Sequence, residues 1–108
     1  MGLVNQVFKD SGLAAMTGHL AVGHCRYSTT GSSSWANAQP QYAETPAGNG
    51  VALGHNGNLV NTLDLARKLD VEAVNDSTLM CQLLAREADS SLIGALEGLA
   101  PELTGAFS

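Results

Sequence analysis

The stretch "LGHNGNLVN", residues 53–61, decides how this chain is read. Two short apolar runs flank an Asn-Gly pair, the strongest short-range sign of a β-hairpin closed by a type I′ turn. The same residues also suit a site, with Asn56 and Gly57 held at the end of a strand to receive a negative charge. Their immediate neighbours fit both readings, so the decision falls to the rest of the chain.

Upstream, "GVALGH" (residues 50–55) reads as the strand that leads into this stretch, and "LAVGHCRY" (residues 20–27), short, apolar and free of Pro, reads as another buried strand. Between them, residues 28–50 are polar and rich in Ser, Gly and Pro, which predicts a long loop of the kind that often carries function. "MGLVNQVF" (residues 1–8) has no capping signal and is expected to be extended. "KDSGLAAMTGH" (residues 9–19) is turn-rich, with room for a short helical turn. Downstream the pattern becomes helical. In "NTLDLARKLDV" (residues 61–71), Leu63, Ala66 and Leu69 form an apolar stripe behind Asn61 as a cap. Asp76 and Ser77 precede "TLMCQLLARE", where Leu79, Leu83 and Leu84 share a helix face. "SSLIGALEGL" (residues 90–99) predicts a third helix, ended by Pro101, and "LTGAFS" (residues 103–108) is β-like. The mixture predicts an α+β fold. Both ends are apolar and strand-like, as though they need partners, because so few strands make a marginal sheet. A piece of a larger protein is expected.

Composition narrows the function classes. A chain of 108 residues fits one domain or part of one, able to bury about two-thirds of its unfolded surface. Hydrophobic residues make up 44%, yet no apolar run approaches the roughly 20 residues that span a membrane, so no membrane partner is expected. The net charge of −5, without a Lys/Arg cluster, argues against nucleic acid. No secretion signal opens the chain, and Gln6 stands where a myristoylation site has Ser or Thr. Cys25 and Cys81 lie far apart without a CxxC spacing and read as two buried thiols of a cytoplasmic protein.

Most chemistries lack a motif. His19 and His24 would face opposite sides of a strand and could not share a metal, and His55 has no ligand spacing around it. "GNGVALGHNGN" has neither a P-loop Lys nor a dinucleotide fingerprint. "STTGSSS" contains no GxSxG nucleophile elbow, and Cys25, although beside Arg26, reads better as structural. What remains is polar residues at segment edges, where sites tend to be built. Arg26 would pair with a carboxylate, Asp76 with an ammonium group, and Asn56 with Gly57 would face a carbonyl between them, the complement of a small zwitterion. The competing structural readings are an ion pair for Arg26, a helix cap for Asp76 and a simple turn for Asn56-Gly57.

"GHCRYSTTGSSSWANAQP", followed by "LGHNGNLVN", resembles the glutaminase domain of the amidophosphoribosyltransferases, a family of class II glutamine amidotransferases. "MGLVNQVF", "NDSTLMCQLLARE" and "LTGAFS" follow the family's order, so the resemblance covers essentially residues 1–108 as a partial glutaminase domain. It implies an N-terminal-nucleophile hydrolase fold, an αββα sandwich, here incomplete. It also implies hydrolysis of L-glutamine to glutamate and ammonia, with the ammonia passing to a phosphoribosyltransferase domain that acts on phosphoribosyl pyrophosphate in purine synthesis. By the resemblance, Arg26 holds the glutamine α-carboxylate, Thr29 belongs to the same pocket, Asp76 holds the α-amino group, and the Asn56 amide with the Gly57 N–H forms the oxyanion hole. The family's nucleophile is an N-terminal cysteine. Met1 and Gly2 stand at the start here, and neither Cys25 nor Cys81 matches that position, so the chain by itself is expected to be inactive. No cofactor is expected in these residues. Full-length members use magnesium, some hold an iron–sulfur cluster, and homo-oligomers are expected. The alternatives are a piece of another glutamine amidotransferase, such as glucosamine-6-phosphate synthase, or a non-catalytic glutamine-binding or interaction module.

Overall fold

A computed structural model describes residues 3–25, 35–72 and 75–108. Its organising element is α4 (Asp76–Glu87). The Asn75 side chain accepts a hydrogen bond from the Thr78 N–H at 2.8 Å, which satisfies one of the open donors of the first turn. Asp76 in the first turn and Arg86 in the last both suit the helix dipole. The predicted cap therefore falls one residue earlier, on Asn75, and Asp76 is left for other contacts. Leu79, Met80, Cys81, Leu83, Leu84 and Ala85 are all buried, so α4 is enclosed on most of its circumference.

Two short sheets and two helices surround it. β1 (Gln41–Glu44) and β2 (Gly50–Leu53) pair antiparallel, with Ala43 opposite Val51, and pack on α4. β3 (Gly57–Leu59) pairs antiparallel with β4 (Gly105–Phe107), Gly57 opposite Phe107. α3 (Thr62–Lys68) and α5 (Leu92–Leu99) also lie against α4. Ser91 caps α5 by accepting from the Gly94 N–H at 3.0 Å, and a 3-10 turn containing Pro101, Ala100–Glu102, ends it. The core joins Val51, Leu59, Leu65, Ala95, Leu99 and Leu103 to the apolar residues of α4. The fold class is α+β, as expected. Two short helices, α1 (Val4–Val7) and α2 (Asp10–Ala14), precede these elements.

Several local expectations are corrected. β2 and β3 belong to different sheets, so residues 53–61 are not a hairpin. β2 takes its partner from the preceding loop and β3 takes its own from the end of the chain. Residues 3–8 are not extended: Val7 and Phe8 donate to the Leu3 and Val4 carbonyls at 3.0 and 2.9 Å, closing helical turns. Residues 20–25 form no strand, and Leu20 is 85% exposed. The expected loop contains β1, a strand whose only apolar residues are Tyr42 and Ala43, too few to register as a pattern. Leu63 of the predicted stripe is exposed and Leu65 is the buried residue of α3, with Ala66 and Leu69 packed beside it. Asn61 stands at the N-cap position of α3 as expected, but its side chain makes no capping bond to the helix. Its amide donates to the Glu102 carbonyl at 2.8 Å and accepts from the Thr104 N–H at 3.0 Å, stitching the start of α3 to the approach of β4. Cys81 is buried as expected, but Cys25 is exposed.

The β1–β2 turn is held by a carboxylate just beyond α4. Asp89 accepts from the Thr45 hydroxyl at 2.5 Å, the Ala47 N–H at 2.7 Å and the Asn49 amide at 3.2 Å. The Thr45 hydroxyl chiefly, with Ala47 and Asn49, holds the Asp89 carboxyl below its ordinary pKa against desolvation. A carboxylate with a depressed folded pKa stabilises the fold fully above its unfolded pKa, and that stability is lost as pH falls through the folded value. Denaturation midpoints followed from neutral into acid should therefore show an acid step that is smaller in Asp89→Asn, whose midpoint is already lower at neutral pH. Equal acid sensitivity in the two proteins would remove Asp89 from this role.

Candidate active site

The site is best built from the peptide groups of β3. The Asn56 N–H donates to the Ser108 carbonyl at 3.0 Å, and the Ser108 N–H donates to the Asn56 carbonyl at 2.8 Å. The Asn56–Gly57 peptide is trans, so its N–H points opposite to its C=O. Because the Asn56 carbonyl faces β4, the Gly57 N–H faces the other edge of β3. Leu59, two residues on, presents its N–H to that same edge, since strand direction repeats every second residue. There it donates to Asp76 Oδ2 at 3.1 Å. Among the described residues, no acceptor meets the Gly57 N–H. One edge of β3 thus carries an open backbone donor and, a residue pair further along, an anchored carboxylate.

Gly57 is required here by crowding rather than by a turn. Its φ is +151°, a region that side chains resist, and a Cβ would fall 2.1 Å from the Ala106 carbonyl oxygen and 2.6 Å from the Phe107 Cα. The strand can approach β4 this closely only without a side chain. The Asn56 side chain beside it is exposed and, among the described residues, hydrogen-bonds to nothing. Its amide is therefore available as a second donor.

Asp76 reaches the strand because α4 begins beside it. Its Oδ1 accepts the Ser77 N–H at 2.8 Å, while Oδ2 takes Leu59. Its side chain remains 18% exposed, so the carboxylate can still meet a solute. The arrangement can hold a cation at Asp76 and a developing oxyanion at Asn56-Gly57. The two other predicted site residues, Arg26 and Thr29, lie outside the described residues.

Sequence reasoning overlooked three residues packed around these groups. His55 is buried, its Nδ1 3.0 Å from the Ser77 hydroxyl and 3.9 Å from Asp76 Oδ2. Ser77, also buried, accepts from the Gln39 amide at 3.1 Å, and Gln39 in turn accepts from the His55 N–H at 2.7 Å. The available signal was adjacency: His55 and Ser77 each neighbour a predicted site residue in the chain. Cys81, by contrast, sits in the core, where burial pushes its thiol pKa up and its Sγ faces the Val51 carbonyl at 3.6 Å. It is a poor nucleophile.

No protein-family model matches the chain. It is, however, 51% identical over 118 aligned residues to a protein of Mycobacterium leprae, and 47% identical over 115 to one of Synechococcus elongatus. Both carry the name amidophosphoribosyltransferase. The chain is homologous to amidophosphoribosyltransferases. The matches take in 99% and 100% of it. Two solved structures agree with this assignment. The glutamine phosphoribosylpyrophosphate amidotransferase of B. subtilis, complexed with ADP and GMP, superposes on 78% of the chain with a TM-score of 0.62 and 27% identity. A structure described as the allosteric regulatory enzyme of purine biosynthesis superposes on 79% with a TM-score of 0.65 and 29% identity. The chain spans about a fifth of the length of these amidophosphoribosyltransferases, 21% of the M. leprae protein and 19% of the B. subtilis chain.

Proposed function

We propose that these residues form the glutamine-binding part of the glutaminase domain of an amidophosphoribosyltransferase. The observation that carries this reading is the shared edge of β3, where the open Gly57 N–H and the Asp76 carboxylate are set by the same strand. Glutamine would lie along that edge. Its α-ammonium group pairs with Asp76, and its amide oxygen sits between the Asn56 side-chain amide and the Gly57 N–H. Its α-carboxylate is taken by Arg26, with Thr29 in the same pocket. Attack on the amide carbon by the N-terminal cysteine that this family uses moves negative charge onto the oxygen, and donors placed in advance stabilise that charge more than they stabilise the neutral amide. Collapse of the intermediate expels ammonia, which the phosphoribosyltransferase domain uses to displace pyrophosphate from phosphoribosyl pyrophosphate. In this reading Cys25 and Cys81 take no part in the attack. The two short sheets are portions of the αββα sandwich of an N-terminal-nucleophile hydrolase, and the enzyme is a cytoplasmic homo-oligomer.

Calorimetric titration with L-glutamine tests the pocket directly. Binding is expected, and Asp76→Asn should weaken it roughly ten- to hundredfold, the worth of one hydrogen bond to a charged group. An absence of heat with the wild-type protein, or unchanged affinity in the variant, would count against the reading.

A further inference from the structure

The ring of hydrogen bonds behind the site has a direction, and the direction points to a role. The Gln39 side chain is oriented by the His55 N–H, which needs an acceptor, so its amide nitrogen faces Ser77 and donates to the hydroxyl. The Ser77 oxygen therefore receives one donor from Gln39, and its own hydrogen is free to point toward Asp76 Oδ1, 3.5 Å away. His55 Nδ1 faces the same hydroxyl, with Asp76 Oδ2 just beyond. An ionised carboxylate draws donors toward itself, which favours a proton on Nδ1. The other ring nitrogen supports this choice. Nε2 is buried and meets no partner among the described residues, and a bare acceptor is tolerated in such a place more readily than an orphaned N–H.

We propose that Ser77, with His55 and Gln39 behind it, is a positioning residue that sets the Asp76 carboxylate against β3 and so makes recognition of the substrate's α-amino group depend on this ring. The inference rests on the glutamine reading. It goes further by naming how Asp76 is aimed and how that aim is tied to the residue preceding Asn56. The ring joins the turn at Gln39, the link between β2 and β3, and the first turn of α4 through buried groups. Moving any one of them shifts the carboxylate relative to the oxyanion donors.

Two measurements test it. Nitrogen-15 NMR of the wild-type protein should show His55 in the Nδ1–H form, and the Nε2–H form would overturn the proposed direction of the ring. Calorimetry should then compare L-glutamine with 4-carbamoylbutanoate, which is glutamine without its α-amino group. Ser77→Ala is expected to weaken L-glutamine about tenfold, the effect of losing a typical hydrogen bond, while changing 4-carbamoylbutanoate by no more than about twofold. Ser77→Thr, which keeps the hydroxyl, should restore most of the preference. If Ser77→Ala weakens both ligands equally, or neither, the positioning role is wrong although the glutamine reading stands. If the wild-type protein binds no glutamine, the reading itself fails and the positioning role with it.

Discussion

Gly57→Ala is expected to lose the β3–β4 pairing. The glycine's φ of +151° costs an L-residue of order 1–3 kcal/mol. The added Cβ would sit 2.1 Å from the Ala106 carbonyl oxygen and 2.6 Å from the Phe107 Cα. Both are backbone atoms, so no rotamer change relieves the contact, and relief by strand movement costs about another 1–3 kcal/mol. Against a typical domain stability of about 5–15 kcal/mol, that sum removes a large part of the fold's margin. Gly98 provides the internal control. It lies in α5, where a Cβ meets nothing within 4 Å, so Gly98→Ala should be neutral or stabilising by up to about 1 kcal/mol. Chemical denaturation of the two variants beside wild type checks the pair. A Gly57→Ala protein as stable as Gly98→Ala would mean that the close strand approach is not as described.

Asn56→Ala should behave in the opposite way, with stability intact and chemistry lost. The side chain is exposed and, among the described residues, bonds to nothing, so its removal should move stability by no more than about 0.5 kcal/mol. In an amidophosphoribosyltransferase that carries these residues together with its N-terminal cysteine, glutamine hydrolysis should fall about 10² to 10³-fold, mainly in kcat. The reason is timing: the Asn56 amide meets a full negative charge only after attack, so the ground-state complex loses little. Synthesis driven by added ammonia, which bypasses glutamine, should proceed unchanged and would show that the protein is folded. A fall of less than tenfold in hydrolysis, or a loss confined to KM, would take Asn56 out of the oxyanion hole. On the proposed reading the two neighbouring residues are separable: Gly57 is required by the strand before it would be required by the reaction, and Asn56 only by the reaction.

The local elements that a linear reading found are those whose causes are local. α4 and α5 follow from apolar residues at helical spacing and from caps one to a few positions away, Asn75 and Ser91. β2 and β4 were likewise visible as short apolar runs. The elements misread depend on distant partners. Residues 20–25 have a strand's composition but, among the described residues, pair with no strand, and β1 has little of that composition but acquires a partner in β2. Which face of α3 is buried was decided by where α4 lies, which put Leu65 inward and Leu63 outward.

The same division runs through the site. Residue types and order alone identified Asn56, Gly57 and Asp76 and the family resemblance, because a carboxylate, an amide and a glycine beside a strand are a chemical complement that can be read without coordinates. Tertiary structure decided how they are brought to one edge of β3. The pairing of Asn56 with Ser108 turns the Gly57 N–H outward, and the Leu59 N–H brings Asp76 to the same edge. It also assembled His55, Ser77 and Gln39 behind that carboxylate. The direction of a peptide N–H is set by the strand its carbonyl pairs with, and here that strand comes from the far end of the chain.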